Sequence, residues 1–442
     1  MSEKARSVDK VREIALDLLL KTHGGKVFSN QLFETAVSEK GLGERDTGFL
    51  KALYFGVLRQ SIFLDHFLSE RCTTPLQKLP LKIAMILRLG LYQIFFMDRV
   101  PLHASIGESV NLARRYGHKG TAGLVNAVLR RLSENRPGVE DLEIVDEDDT
   151  AEISWKCSHP EWIVKKYIAD FGFAKAIEIF EANNKLPSLN FRALLPDKLA
   201  SSGVSVRKNS FNDLGVEIDN ASVQDIRKLM EGGVIAPQDQ SSLIAVSLLS
   251  GRGGDVLELC SGRGNKTSAL LKVLDKGTRI ISADISFNKL AVAGKGPDAA
   301  SLSVCADASK PLPLKSGFEN IFIDLPCSNM GVIRRHPEIK HNRALEEIPR
   351  AAELQQTILK NSAGHVVKGG VLVYAVCSIE KEETVEVVER FLSEDNTFEA
   401  INISALRPDL EAEGLTAGNW FRVFPGQHGM DGMFAAMLRK RK

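Results

Sequence analysis

Two cysteines follow short apolar runs that read as β-strands: Cys327 closes the segment Asp324-Leu325-Pro326-Cys327 after Ile321-Phe322-Ile323, and Cys377 comes directly after Gly370 to Val376. Neighbouring parallel strands deliver the residues beyond their carboxyl ends to one cleft, so both thiols are expected there, with Asp324 beside them. A thiolate can add to C6 of a pyrimidine and turn C5 into an enamine carbon, which attacks an electrophilic methyl group. That addition needs charge relief at N3, which Asp324 would supply if protonated or sharing a proton. The second cysteine is a natural participant in expelling the product. A free thiol has a pKa of about 8.5, so electropositive surroundings are expected around the attacking sulfur.

A glycine turn, Cys260-Ser261-Gly262-Arg263-Gly264-Asn265-Lys266-Thr267, lies between the strand-like Val256–Leu259 and a helix expected from Lys266. Glycines there let backbone N–H groups approach a ligand. A phosphate-binding G-x-x-x-x-G-K-[ST] loop would need glycine at positions 260 and 265, where Cys260 and Asn265 stand. A dinucleotide G-x-G-x-x-G is matched only by Gly262 and Gly264. S-adenosylmethionine needs a tight loop near its amino-acid end and an acid on the next strand for the ribose. Asp284 ends that strand, 22 residues after Gly262. Asp307 ends the next, where an acid can accept from an adenine amino group. This ordered set predicts an S-adenosylmethionine site.

The elements that must position these residues are legible in the rhythm of the chain. From about residue 236, strand, loop and helix alternate, with strands expected at Val256–Leu259, Arg279–Ala283, Leu302–Ala306, Ile321–Ile323 and Gly370–Val376. That pattern predicts a mostly parallel sheet with helices on both faces, an α/β domain over residues 236–442. Residues 153–235 mix a helix (Trp162 to Ala182) with strand-like runs such as Ser188 to Leu194, and read as a small α+β subdomain. Residues 1–136 read as all helix, as in Ile83, Ile86, Leu87, Leu91 and Ile94 after Pro80. Ser105–Glu108 has capping-box form, Gly117 is a plausible stop, and Thr121 is a candidate cap for the next helix. The acidic stretch 137–152 is expected to be a linker.

A chain of 442 residues with 44% apolar and 26% charged residues has the balance of a soluble multidomain protein. No run approaches the roughly 18 apolar residues of a membrane span, and the polar start MSEKARSVDKVRE lacks a signal-peptide core. A cytoplasmic, monomeric protein is therefore expected. The six cysteines form no C-x-x-C pair, which fits neither a zinc site nor a disulfide framework, and no metal is expected. A net charge of +1 hides an uneven distribution. Arg99, Arg114, Arg115, Lys119, Arg130, Arg131 and Arg136 face only Glu108 and Glu134, and the next sixteen residues carry eight acids and no base. Such a basic face can meet phosphates.

These motifs resemble the NusB-fused rRNA cytosine-C5 methyltransferases of the RsmB/Fmu/Sun family, over nearly the whole chain. The helical part carries Tyr54-Phe55-Gly56-Val57-Leu58-Arg59, Leu87 to Gln93, Val100 to Ala104 and Val125 to Arg130, similar to a NusB-like RNA-binding domain. The catalytic part carries Gln238 to Ser242, Gly331-Val332-Ile333-Arg334-Arg335-His336-Pro337 and Gly429-Met430-Asp431-Gly432. Arg263, Asn265, Leu325 and Val376 depart from the family's usual Pro, Gly, Ala and Thr. The resemblance implies a Rossmann-like methyltransferase domain with Cys377 as nucleophile and Cys327 assisting release. It implies a cofactor site lined by the loop from Cys260 to Lys266, with Asp284, Asp307 and Asp324. RNA, expected to be small-subunit rRNA before assembly, would meet Arg114, Arg115, Lys119, Arg130, Arg131, Arg334 and Arg335. A tRNA cytosine methyltransferase and a non-catalytic antitermination-type RNA-binding protein are the rival readings.

Overall fold

Apolar side chains spaced three and four residues apart give the first 184 residues their helices. The computed structural model describes residues 8–25, 27–134, 146–219, 221–293, 302–315 and 317–442. Helices α1 (Lys10–His23), α2 (Ser29–Lys40), α3 (Glu44–Arg71), α4 (Leu81–Phe96), α5 (Leu102–Tyr116) and α6 (Lys119–Glu134) surround one apolar core. Ile83, Ile86, Leu87, Leu91 and Ile94 of α4 are all buried in it. Two helix starts differ from the sequence reading. Pro101 caps α5, so the helix begins three residues before Ser105, whose hydroxyl faces the Pro101 carbonyl 3.4 Å away; the expected capping box does not form. Proline's fixed φ and missing N–H make it the stronger start signal. Thr121 lies in the first turn of α6, not at its cap, and its Oγ1 accepts from the His118 N–H at 2.9 Å.

Helices α7 (Thr150–Lys156), α8 (Glu161–Phe171) and α9 (Phe173–Asn184) come next. The single helix expected over 162–182 is broken at Gly172, whose φ of +81° is left-handed and ends a right-handed helix. By compactness these three helices join α1–α6 and not the strands after them. The chain divides into one unit of residues 1–186 and 333–343 and a second of residues 187–332 and 344–442. The expected break at 152/153 is thus displaced to 186/187, because Trp155 packs on Phe63, Phe67 and His66 of α3. The linker expectation falls mostly on residues 137–145, outside the described residues; its last residues, from Thr150, belong to α7.

Residues 333–343 are seated within the helical unit by hydrogen bonds. Glu338 accepts from the Ser29 N–H at 2.8 Å and the Ser29 hydroxyl at 2.6 Å. The carbonyls of Arg334 and Arg335 accept from Arg59 at 3.1 Å and Asn30 at 3.2 Å. Lys340 is 1% exposed and donates to the carbonyls of Arg59 and Ser158, at 2.8 and 2.7 Å, and to Asn184 Oδ1 at 3.1 Å. An ammonium has three donors, and here each has an acceptor.

In the second unit a small antiparallel sheet has the order β2-β3-β1-β4, from β1 (Asn190–Ala193), β2 (Ser205–Lys208), β3 (Gly215–Asp219) and β4 (Ile235–Pro237). The larger sheet has a parallel core of β5 (Val256–Leu259), β6 (Ile280–Asp284), β7 (Leu302–Cys305), β8 (Phe318–Asp324) and β9 (Val366–Val376), in the order β7-β6-β5-β8-β9. The later strands β10 (Phe398–Ala400), β11 (Thr416–Ala417), β12 (Trp420–Val423) and β13 (Met433–Lys440) complete it, with β13 antiparallel to β9. Central strands covered on both faces read as unbroken apolar runs, and β5 is buried at all four residues. The strand order reverses between β5 and β8. Open α/β sheets bind ligands outside the carboxyl ends at such a point.

Candidate active site

The turn after β5 is made by alternating left-handed residues. Cys260, Gly262 and Gly264 have φ of 58°, 57° and 81°. Arg263 and Asn265 lie outside the left-handed region, and the helix Asn265–Val273 begins directly after Gly264. The departures from proline and glycine at 263 and 265 therefore demand no unusual backbone, and both side chains are exposed. Asp284, at the end of β6, accepts from the Gly262 N–H at 2.9 Å and the Ser286 N–H at 2.8 Å. The acid thus shapes the loop as well as facing its cleft. Asp307 is turned toward its own loop, accepting from the Ser309 N–H at 3.0 Å and hydroxyl at 2.6 Å. These hydrogen bonds hold its carboxyl below the usual range.

The loop has features that fit a polar ligand. Ser261 Oγ is buried with no hydrogen-bond partner, and a Cβ at Gly262 would meet nothing within 4 Å. Buried polar atoms are rarely left alone without reason. The Cys260 thiol is pushed up to about 12 by burial, with Asp324 and Asp284 adding to it, so it is no thiolate.

Beneath the loop lies a residue that the sequence reading missed. Glu258 is fully buried on β5 and accepts from Ser282 Oγ at 2.7 Å and from Thr267 Oγ1 at 2.5 Å. Burial raises its carboxyl to about 7 against these two donors. Its signal in the sequence was an acid interrupting the apolar run Val-Leu-Glu-Leu.

Lys266 reaches across the reversal in strand order to Asp324, with Nζ 2.5 Å from Oδ2. Burial works against its charge, but the Asp324 carboxylate outweighs it and the lysine stays protonated. Lys266 occupies an oxygen of Asp324, so the proton-sharing role expected for this acid requires the pair to open.

The two cysteines do meet. Their sulfurs are 3.1 Å apart and both thiols are free. Asn329 Oδ1 lies 3.0 Å from Cys377 Sγ and 3.7 Å from Cys327 Sγ. Its own Nδ2 donates to the Cys327 carbonyl at 3.2 Å, which fixes the amide's orientation. The hydrogen bond to Cys377, then burial, holds the Cys327 thiol far above its ordinary range. Cys327 therefore keeps its proton, and the Cys377 thiol in turn donates to Asn329 Oδ1. Behind them, Gly331 N–H donates to the Cys377 carbonyl at 3.2 Å and Gly432 N–H to the Gly331 carbonyl at 2.8 Å. A Cβ on Gly331 would stand 2.3 Å from the Gly432 oxygen, so both glycine motifs serve this close approach.

Among the expected RNA contacts, Arg114, Arg115, Lys119, Arg130 and Arg131 are exposed on α5 and α6. Arg115 pairs with Glu13 at 3.0 Å. Arg334 is corrected: at 4% exposed it is buried within the helical unit and presents nothing to RNA. Arg335 is half-buried.

A parallel sheet whose order reverses at a glycine turn, with acids ending the adjoining strands, defines a Rossmann-like methyltransferase domain joined to a helical one. Residues 246–439 match the family 16S rRNA methyltransferase RsmB/F, and residues 9–134 match the NusB family. The chain is 30% identical over 447 residues to the probable ribosomal RNA small subunit methyltransferase B of Bacillus subtilis, covering 98% of this chain and 99% of that one. A relative from Pseudomonas putida, ribosomal RNA small subunit methyltransferase B, is 31% identical over 414 residues, 90% and 91% of the two chains. The crystal structure of PH0851 shares the fold over the full length of both chains, with a TM-score of 0.79 at 18% identity. The chain belongs to the RsmB/F family of methyltransferases, with a NusB-type helical domain.

Proposed function

We propose that this protein methylates C5 of a cytosine in RNA, specifically in small-subunit rRNA before assembly in the cytoplasm, through a transient bond from Cys377 to C6. One observation carries the reading: two free thiols 3.1 Å apart at adjacent strand ends, one holding its proton, beside the Lys266–Asp324 pair. S-adenosylmethionine supplies an electrophilic methyl group when bound. The residues that would hold it are the Cys260–Gly264 loop, with the unpartnered Ser261 Oγ, and Asp284, whose oxygens keep lone pairs for ribose hydroxyls.

The chain's own residues then divide the work. The Cys377 sulfur forms a bond to C6, and the electron pair of the C5–C6 double bond becomes available at C5. Lys266 and Asp324 stand where they can compensate charge at N3 and carry its proton. Once C5 has taken the methyl group, the C5 proton must leave, and the S–C6 bond breaks as the double bond re-forms. Cys327 Sγ, 3.1 Å from Cys377 Sγ, is placed to protonate the departing thiolate. A base within a paired helix hides its faces by stacking, so the target is an unpaired or flipped cytosine.

The test separates the two sulfurs. Cys327→Ala should accumulate a protein–RNA adduct that survives denaturing electrophoresis and forms only with S-adenosylmethionine. Cys377→Ala should give neither adduct nor product. An adduct trapped by Cys377→Ala instead would assign the attack to Cys327. Bisulfite sequencing of rRNA and tRNA from a deletion strain decides the RNA: a 5-methylcytosine lost from tRNA alone would overturn the rRNA assignment.

A further inference from the structure

Glu383 lies six residues after Cys377 in a short turn, Lys381–Glu383, and is fully buried. Its Oε1 accepts from the Ser328 N–H at 2.8 Å and from Gln355 Nε2 at 3.1 Å. Its Oε2 accepts from Ser378 Oγ at 2.6 Å and from the Ser328 hydroxyl. Ser328 is the residue after Cys327, and Ser378 is the residue after Cys377. One carboxylate therefore grips both cysteine-bearing loops, which are 50 residues apart in sequence.

The grip is braced in turn. Gln355 gives its second amide hydrogen to the Pro326 carbonyl at 2.9 Å. The Tyr374 hydroxyl lies 2.6 Å from the Glu383 carbonyl and 3.0 Å from Gln355 Oε1. Backbone ties between the two loops flank the region, Leu325 N–H to the Ala375 carbonyl at 3.0 Å and Gly331 N–H to the Cys377 carbonyl at 3.2 Å. Between those ties, Glu383 bridges Ser328 and Ser378, whose hydroxyls also lie 3.5 Å apart.

A buried carboxylate is expensive unless its oxygens are fully hydrogen-bonded. Here two N–H donors converge on Oε1 and two serine hydroxyls on Oε2. A glutamine could keep its oxygen on the N–H donors only if both hydroxyls turned round to accept from its NH2 group. Stability alone would be served as well by apolar packing, so the choice of a charge needs another account.

We propose that Glu383 is the positioning residue that sets the spacing of the two thiols, a role that rests on the cysteine chemistry proposed above. Its negative charge also acts in the direction of keeping the proton on Cys327.

Two readouts test this, one of them independent of methylation. In the full-length enzyme without RNA, diamide should link Cys327 to Cys377 rapidly, as read by mass spectrometry. Glu383→Gln should slow that linkage and lower kcat by about 100-fold, the scale of an ångström-sized misplacement, while the KM for RNA stays within a few-fold. S-adenosylmethionine affinity should be retained, which shows that the domain is folded. Should Glu383→Gln not fold, Ser378→Ala removes a single donor and should slow linkage and turnover together. In a soluble double variant, Ser378→Ala should add nothing to Glu383→Gln, because both break one clamp. Wild-type linkage and wild-type kcat in Glu383→Gln would overturn the proposal. Slowed linkage with no adduct in Cys327→Ala would instead leave the clamp standing and sink the cysteine chemistry.

Discussion

The cysteine cleft and the seat for residues 333–343 are both places where distant stretches of chain meet through buried polar groups. They differ in the chemistry of the groups that meet. In the seat, Lys340 meets an acceptor with every donor, and Glu338 is held by both polar atoms of Ser29. In the cleft, Ser261 Oγ and Glu258 Oε1 have no partner, and two thiols face each other beside an ion pair. The seat is not fully satisfied either, since Arg59 Nε and His336 Nδ1 have no hydrogen-bond partner; what sets the cleft apart is a pair of nucleophilic thiols beside an ion pair under a ligand-sized loop. Changes in the seat should therefore act on stability, and changes in the cleft on chemistry.

The sharpest way to break this contrast is Lys340→Met. It removes the shared donor from two buried carbonyls and the half-buried Asn184 amide and should destabilise the helical unit by about 3 kcal/mol in denaturant titration. A loss under about 1 kcal/mol would mean that the seat is not a joint.

Acid should act on the same place. Burial, with Lys340 close by, pushes His341 down to about 4 from an ordinary 6.5. The unfolded chain then takes up a proton that the folded one refuses. This histidine's contribution is complete above pH 6.5 and is lost as pH falls toward 4; because solvent reaches the residue, the loss is small, under about 1 kcal/mol. Denaturation midpoints at pH 7.5 and 4.5 should show the loss, and His341→Gln should flatten it.

Gly331→Ala should do the opposite, sparing most of the stability while displacing the backbone behind Cys377. A Cβ 2.3 Å from one carbonyl oxygen and 3.0 Å from that of Cys377 must move one of them. A loss of about 100-fold in kcat is expected; unchanged turnover would detach this glycine pair from the site.

Asp284→Ala should weaken S-adenosylmethionine binding by about tenfold or more in calorimetry, since it removes charge-assisted acceptors and the brace on Gly262. The smallest effect is expected from Arg130→Gln with Arg131→Gln. These exposed arginines should cost a few-fold in RNA affinity and lower the salt slope by about 1.5 to 2. An unaltered slope would remove α6 from the RNA surface.

The strands and their ends were legible because each strand is a short apolar run closed by a turn residue, and parallel topology sends those ends to one side. That is why Cys327 and Cys377 could be placed together from positions 50 residues apart. Helix starts were less legible where two signals competed, as Pro101 did with Ser105. The role of residues 333–343 was not legible, because Arg334 reads as a surface cation until its burial and the bond from Arg59 of α3 to its carbonyl are known. The same holds for α7–α9: local pattern gives their helicity, but only packing shows that they complete the helical unit. A fragment beginning at residue 153 would therefore cut through a core and not between domains.

The seat for residues 333–343 also sets an order of events during synthesis. Helices α1–α9 leave the ribosome first, yet the segment that their polar cavity receives is made about 150 residues later. At roughly 5–20 residues per second this is a wait of about 10–30 seconds. Throughout that interval the Ser158 carbonyl and the Ser29 hydroxyl lack the Lys340 and Glu338 partners that they have in the complete chain. The first half of the molecule is finished only when the second half has been largely translated.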